Sequence, residues 1–312
     1  MDGLSALLQG PRARGAFLLR CLMGSPWAIR LADGVPLSLT AVVSGTAWAV
    51  PDGGPAHALN PGDVVIALGG SNHWTMADTA TTPVTVIIEP GQECYAPDGR
   101  RLTEEYDLGV RSWGNSTDPD TVMLSGSYLL DGEVSARLLR ALPPLCVVRG
   151  SEIGSPLVPL LDGEIVRPDP GQDAVLDRLL DLLLIASLRA WFSRPESHAP
   201  GWYVAQGDPV IGPALHVMQG DPAHAWTVDE LASYALVSRA TFARRFMQMV
   251  GEPPMTFLTR WRLALAADLL PDAEMTLEMV ARRVGYSTPF ALSTAFKREY
   301  GVSPRTYRER AS

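Results

Sequence analysis

The sequence predicts a multidomain chain: an N-terminal all-β barrel, a connecting helix, and a C-terminal all-α domain with tandem helix-turn-helix units. Three observations lead there. Short β-rich runs, separated by Gly, Pro, Asp and Asn clusters, recur at intervals of roughly ten residues through the first half. A strongly apolar segment, Asp173–Phe192, follows a chain-breaking RPDPG at Arg167–Gly171. The last hundred or so residues then write one amphipathic pattern twice.

The expected strands are Ala16–Cys21, Trp27–Leu31, Leu37–Val43, Thr46–Val50, Val64–Leu68, Val84–Glu89 and Thr121–Leu130. Together they make residues 1–167 an antiparallel barrel or jelly roll. Within it, HALNPGDVVIALGGSNHW (His57–Trp74) reads as a turn at Pro61–Gly62–Asp63, a buried strand, a Gly-rich turn and then His73. Barrels of this size keep room for one small ligand. Trp27, Trp48, His73 and Trp74 are candidates to line its mouth; the plainer reading makes the tryptophans core and His73 a hydrogen-bonded turn residue.

His57 and His73 are the only histidines of this region, and no His-x-His occurs. A metal triad needs at least three converging ligands, so no metal, no cofactor and no catalytic residue is expected. Cys21, Cys94 and Cys146 lack the spacing of a disulfide framework or zinc site. Cys21 and Cys94 are redox candidates if Arg20 or Arg100 lies near enough to lower a thiol pKa. The plainer reading is that they are small buried hydrophobes. Cys146 reads as core.

In the connecting helix, Val175, Leu176, Leu179, Leu182, Leu183 and Ala186 form a broad apolar stripe. It is expected to pack on the barrel and on a second copy, giving a homodimer; the alternative is that it covers only its own barrel. With a linker at Arg194–Gly207, this region spans 168–207 and the last domain 208–312.

That domain opens with a helix at Pro209–Gln219. In WTVDELASYALVSRATFARRF (Trp226–Phe246), Thr227 caps a first helix and Ser238 a second. Phe242 and Phe246 form the buried stripe of the second helix, and Ala240, Ala243, Arg244 and Met247 point away from it. TLEMVARRVGYSTPFALSTAF (Thr276–Phe296) repeats the unit. Thr227 aligns with Thr276, Ser238 with Ser287 and, after one inserted residue, Phe246 with Phe296. Thr288 can cap there, Pro289 falls at the first helical position, and Phe290, Ser293, Thr294 and Lys297 face outward. Met255–Leu270 is a stiff helical spacer between copies. Reader helices held this way reach successive major grooves, ~34 Å apart on one face of the duplex.

Formal net charge is −8, but unevenly spread. Residues 212–312 hold 12 basic against 10 acidic side chains, +2, and residues 1–211 hold 14 against 24, −10. The acidic part must therefore sit away from phosphate, and DNA affinity should fall with salt. No apolar run nears the ~20 residues of a membrane span, and MDGLSALLQGPRARG lacks the order of a secretion signal. A cytoplasmic protein with no membrane partner is expected.

The tandem units, the spacer helix and the closing GYSTPFALSTAFKREYGVSPRTYR, with Gly285, Tyr286, Phe296, Lys297, Gly301, Pro304 and Tyr307 in place, resemble the arabinose-regulator (AraC/XylS) family of bacterial transcription factors. The likeness runs from about residue 209 to the C-terminus. By position it implies base readers at Arg239, Ala240, Ala243 and Arg244, then at Pro289, Phe290, Ser293 and Thr294. Ser238, Thr241, Thr288 and Lys297 complete the DNA-facing set. Thr294, where many members carry Arg, and Phe290, often polar, depart from the pattern and make the second helix the poorer hydrogen-bonding reader; Phe290 suits a thymine methyl instead. The barrel, through His57–Trp74, Arg14–Arg30, RSWGN (Arg111–Asn115) and Thr121–Leu145, resembles the cupin-type sensor domains of a subset of these regulators. The resemblance implies a regulator with promoter DNA, a small-molecule effector and RNA polymerase as partners. The alternatives are a thiol-based sensor using Cys21 and Cys94, and a cupin enzyme fused to a DNA-binding module.

Overall fold

The structure, a computed structural model, describes residues 17–70, 72–128, 133, 140–197 and 199–311. The N-terminal segment read for a secretion signal lies outside these, as do Ala16, Leu129 and Leu130 at the ends of two expected strands. The chain divides into two compact units.

In the first unit the strands are β1 (Phe17–Met23), β2 (Ala28–Leu31), β3 (Leu37–Ser44), β4 (Ala47–Pro51), β5 (His57–Leu59) and β6 (Val64–Leu68). They continue with β7 (Trp74–Ala77), β8 (Val86–Glu89), β9 (Glu93–Tyr95), β10 (Ser112–Gly114), β11 (Thr121–Tyr128) and β12 (Leu145–Val148). They form two six-stranded sheets, ordered β10-β1-β11-β3-β6-β12 and β5-β4-β7-β2-β8-β9. Each of the seven expected strands is present. The other five are short and lack the alternation that marks a strand locally; what holds them is partners distant in sequence. β7, for example, lies between β2 and β4.

The turn at Pro61–Gly62–Asp63 is held by the buried Asp63 carboxylate. It accepts hydrogen bonds from the Arg149 guanidinium (2.7 Å) and from the backbone N–H groups of Gly150 (2.9 Å) and Asn60 (3.1 Å). Three helices follow: α1 (Gly150–Ile153), α2 (Leu157–Ile165) and α3 (Gln172–Phe192). Six consecutive residues of β3 are buried, which requires cover on both faces. Ser38, Thr40 and Val42 turn between the sheets, while Leu37, Leu39 and Ala41 lie on the opposite face, which α2 approaches. Helix α3 rests on β11 at Gly126, where a Cβ would come within 2.8 Å of the Leu180 side chain. Leu176, Leu180, Leu183, Leu184 and Leu188 are buried within the protomer. Val175 and Leu182 stay 43% and 46% exposed. Much of the apolar stripe is thus used on the chain's own barrel.

The second unit is helical: α4 (Gly201–Val204), α5 (Ile211–Gly220), α6 (Val228–Tyr234), α7 (Arg239–Val250), α8 (Pro254–Leu269), α9 (Leu277–Arg283), α10 (Pro289–Tyr300) and α11 (Pro304–Ala311). It has two small cores. Leu231, Phe242 and Phe246 pack with Phe257 and Leu258 of α8. Val280, Leu292 and Phe296 pack with Leu263, Ala266 and Ala267 of the same helix. The spacer helix therefore builds one wall of each core, and this makes it a rigid connector rather than a tether. Arg262 ties it to the loop before α6 by donating to the carbonyls of Pro222 and His224, both at 2.7 Å.

Candidate nucleic-acid interface and sensor cavity

Ser238 caps α7 by accepting the N–H of Thr241 (3.2 Å), and Gly251 ends it in the left-handed conformation. The Phe242 and Phe246 rings, 5.7 Å apart, are sealed in the core, which fixes the helix's rotation about its axis. Arg239, Ala240 and Arg244 are then exposed, and Thr241 and Ala243 half-buried. Three arginines that look alike in sequence have separate surroundings. Arg239 forms an exposed pair with Asp229 (2.9 Å). Arg244 has neither ion pair nor hydrogen bond among the described residues. Arg245 turns inward to the buried carboxylate of Asp208, with Nε 3.1 Å from Oδ1.

Asp208 also caps α5, accepting the N–H groups of Val210 and Ile211 at 2.9 Å each. Burial pushes its pKa up, but the Arg245 hydrogen bonds and these two N–H groups outweigh burial and hold it below the ordinary carboxylate range. A depressed folded pKa contributes stability that is fully present above about pH 4, the ordinary Asp value, and is lost as pH falls through the folded value. Asp208→Ala should cost about 1–2 kcal/mol at neutral pH, a difference from the parent that shrinks in acid. Urea unfolding of both proteins at neutral and acid pH checks it, and equal stability at neutral pH refutes it.

The corresponding helix of the second unit, α10, is capped by Thr288, which accepts the N–H of Ala291 (3.1 Å), with Pro289 in the first turn. The structural counterpart of Ser238 is therefore Thr288, not Ser287, and the inserted residue precedes the cap. Leu292 and Phe296 are buried; Phe296 packs at a tilt against Tyr300 and edge-on against Tyr307, centroids 4.6 and 5.3 Å away. Thr294 and Lys297 are exposed and Pro289 and Ser293 half-buried, while the Phe290 ring is 81% exposed. The Thr294 hydroxyl donates back to the Phe290 carbonyl at 3.0 Å. The donor is thereby spent on the helix itself, so the outer edge of α10 is mainly methyl and phenyl. Before each reader the chain enters a left-handed residue: Gly285 in the second unit, Leu236 in the first. Gly285 is required twice over, because a Cβ would lie 2.8 Å from the Pro222 carbonyl. Leu236, 91% exposed, meets only the conformational cost.

Between the two sheets of the first unit lies a cavity of about 300 Å³. Of the four residues expected at its mouth, Trp74 lines it. Trp27 is instead fully buried in the core, since its position before β2 places it under the sheet. Trp48 and His73 are half-buried away from the lining. Trp113, Met76, Met123 and Ile29, which the sequence did not single out, line it. Their signal was weak because each reaches the cavity through strand pairing rather than through a local motif.

Cys21 and Cys94 both line the cavity. Burial, and then the neighbouring Cys94, push the Cys21 thiol up to about 12. Burial also raises Cys94, against a hydrogen bond with Trp113. Arg20 and Arg100, the cations that would have favoured a thiolate, are paired with Asp162 and Glu105. The thiol reading gains nothing from this geometry. Cys146 is buried, as read. Among the described residues no three His, Cys, Asp or Glu side chains converge as a metal site needs, and no helix is long and apolar enough to cross a membrane.

Comparison with known proteins gives the same division. A cupin family model matches residues 2–193 and a helix-turn-helix domain model residues 231–310. A Streptomyces lividans protein, provisionally described as an AraC-like transcription regulator, is 30% identical over 99% of this chain and 98% of its own. The HTH-type transcriptional regulator AlkR of Acinetobacter baylyi is 28% identical over the whole of both chains. Among solved structures, the DNA-binding domain of AdpA in complex with a target DNA is 33% identical, covering 33% of this chain and 93% of that one with a TM-score of 0.31. With two capped helix-turn-helix units braced by one spacer helix and following a cupin barrel in the chain, this chain belongs to the AraC-like family of DNA-binding transcription regulators.

Proposed function

We propose that the two reader helices contact successive major grooves of a promoter site and that the barrel cavity binds a small effector which changes how they do so. The observation that carries the first part is the exposure of Arg239, Ala240 and Arg244 on α7 and of Phe290, Thr294 and Lys297 on α10, each opposite a sealed Phe core. An arginine edge reads guanine O6 and N7, and a phenyl-methyl edge suits the thymine methyl. Lys297 supplies phosphate contact. Footprinting of the full chain on a selected site should show two protected tracts about one helical turn apart on one face; a single tract would refute paired reading.

The Phe290 contact has its own test. Replacing the contacted thymine by uracil removes only a methyl, worth roughly 0.8 kcal/mol, or about a fourfold loss of affinity. Phe290→Ala should abolish that sensitivity, and a variant that still distinguishes thymine from uracil places the contact elsewhere.

An effector acts only by binding one arrangement of the protein better than another. The cavity supports such a site by its volume and its mixed lining. A second protomer belongs to the same reading, with Val175 and Leu182 of α3 as the surface left for it. Sedimentation of the full chain tests that part; a monomer at micromolar concentration would remove it. Binding beside a promoter also gives RNA polymerase a place as partner.

A further inference from the structure

The cavity has a direction, and strand register sets it. On the inner face of the first sheet Ser38 lies opposite Ser127, and Thr40 opposite Ser125. One pair further along the same face, Val42 and Cys21 flank Met123 on neighbouring strands. The facing sheet contributes Ile29 opposite Met76 and Leu31 opposite Trp74. One end of the cavity is therefore hydroxylic and the other apolar. Thr40 and Ser125 are within 3.3 Å of each other, while the Ser38 and Ser127 hydroxyls have no hydrogen bond among the described residues.

The charges of the lining are all of one sign. Asp33 and Asp107 contribute to it, and no described Lys, Arg or His does. Asp33 accepts hydrogen bonds from the Gln92 amide (3.1 Å) and the Val35 N–H (3.4 Å); Asp107 accepts the N–H of Gly109 (3.0 Å). Neither has an ion pair among the described residues. The arginines next to or two positions from lining residues in the chain are engaged with other carboxylates: Arg20 with Asp162, Arg30 with Asp52, Arg101 with Glu93 and Arg111 with Asp173. An anionic ligand would meet two carboxylates and no cation. A cation would find two carboxylates with no ion pair among the described residues, Asp107 in register with Trp113 and Cys21, and its hydrocarbon would meet Met76, Met123 and Trp74 of the same lining.

We infer that the cavity selects a small organic cation with an apolar body, an alkyl- or arylamine, over the matching alcohol, and excludes the matching carboxylate. This rests on the sensor reading above and adds the chemical class of its ligand.

Octylamine, 1-octanol and octanoate share one chain length and differ in the head group. Titrated below their micellar range into the full-length protein and followed by calorimetry, octylamine should bind at least tenfold tighter than 1-octanol, with octanoate weaker than both. The double variant Asp33→Asn, Asp107→Asn should lower octylamine to the affinity of 1-octanol and leave 1-octanol unchanged. Ser125→Trp, which fills the cavity, should remove binding of all three. Octanoate binding as tightly as octylamine, no preference between octylamine and octanol, or a preference that survives the double variant would overturn the charge selection while leaving a cavity that binds ligand. Binding of none of the three, or binding that Ser125→Trp does not touch, would remove the sensor reading itself. Circular dichroism of the folded variants accompanies each titration, and the double variant alone decides the matter if Ser125→Trp does not fold.

Discussion

Phe246→Ala is expected to destabilise the DNA-binding unit by about 3–5 kcal/mol, the range for deleting a fully buried Phe side chain. The ring has no exposed surface and packs against Phe242 and Phe257, with centroids 5.7 and 5.9 Å away. It also sets the rotation of α7, so its loss disturbs the aim of Arg239 and Arg244 along with the fold. Denaturant unfolding followed by tryptophan fluorescence reads the first effect, through Trp226 and Trp261. Footprinting reads the second, as loss of the tract belonging to α7 ahead of that belonging to α10. The companion Phe290→Ala, which removes an exposed ring, should leave unfolding within about 0.5 kcal/mol of the parent. Parent-like stability of Phe246→Ala would mean that the core is not organised around this stripe.

Arg244→Ala is expected to leave the fold intact and cost about 1–3 kcal/mol of discrimination at one base pair, the range for losing a bidentate contact to guanine. Its neighbour is the control. Arg245 sits one residue on, carries the same charge and has its guanidinium held by Asp208, so Arg245→Ala should lower stability without relaxing preference at that base pair. Competition binding against an operator library resolves the two. An unchanged base preference in Arg244→Ala, or a relaxed one in Arg245→Ala, would show that the outward face of α7 has been assigned wrongly.

The salt dependence follows from the same surfaces. The basic excess of residues 212–312 is small, and several of its arginines are already committed inside the protein. Arg245 is held by Asp208, Arg262 by the carbonyls of Pro222 and His224, and Arg308 by those of Leu270 and Met275. The phosphate contacts proposed for Lys297 and open to the remaining exposed arginines are fewer than composition suggests.

Much of this protein is legible in its sequence because the signals are local. The helix caps Thr227, Ser238 and Thr288 each accept the backbone N–H three residues on, and so does Thr276, which the repeat aligns with Thr227. A cap acts within one turn, and the Phe242–Phe246 and Leu292–Phe296 stripes need only the period of the helix. The seven expected strands were readable for the same reason, since apolar runs between turn residues form strands wherever they can pair. Three things needed the tertiary structure. Which arginine of α7 faces outward depends on Asp208, which lies 37 positions away in the chain. The lining of the cavity depends on the register of β1, β3 and β11 and on short strands that exist only through distant partners, so Trp113 and Met123 enter it while Trp27 and Trp48 do not. The sign of its charge depends on which carboxylates the surrounding arginines have already neutralised. Spacing along a helix is fixed by backbone geometry and survives in sequence, whereas a binding surface between sheets is a sum of long-range pairings that no single stretch encodes.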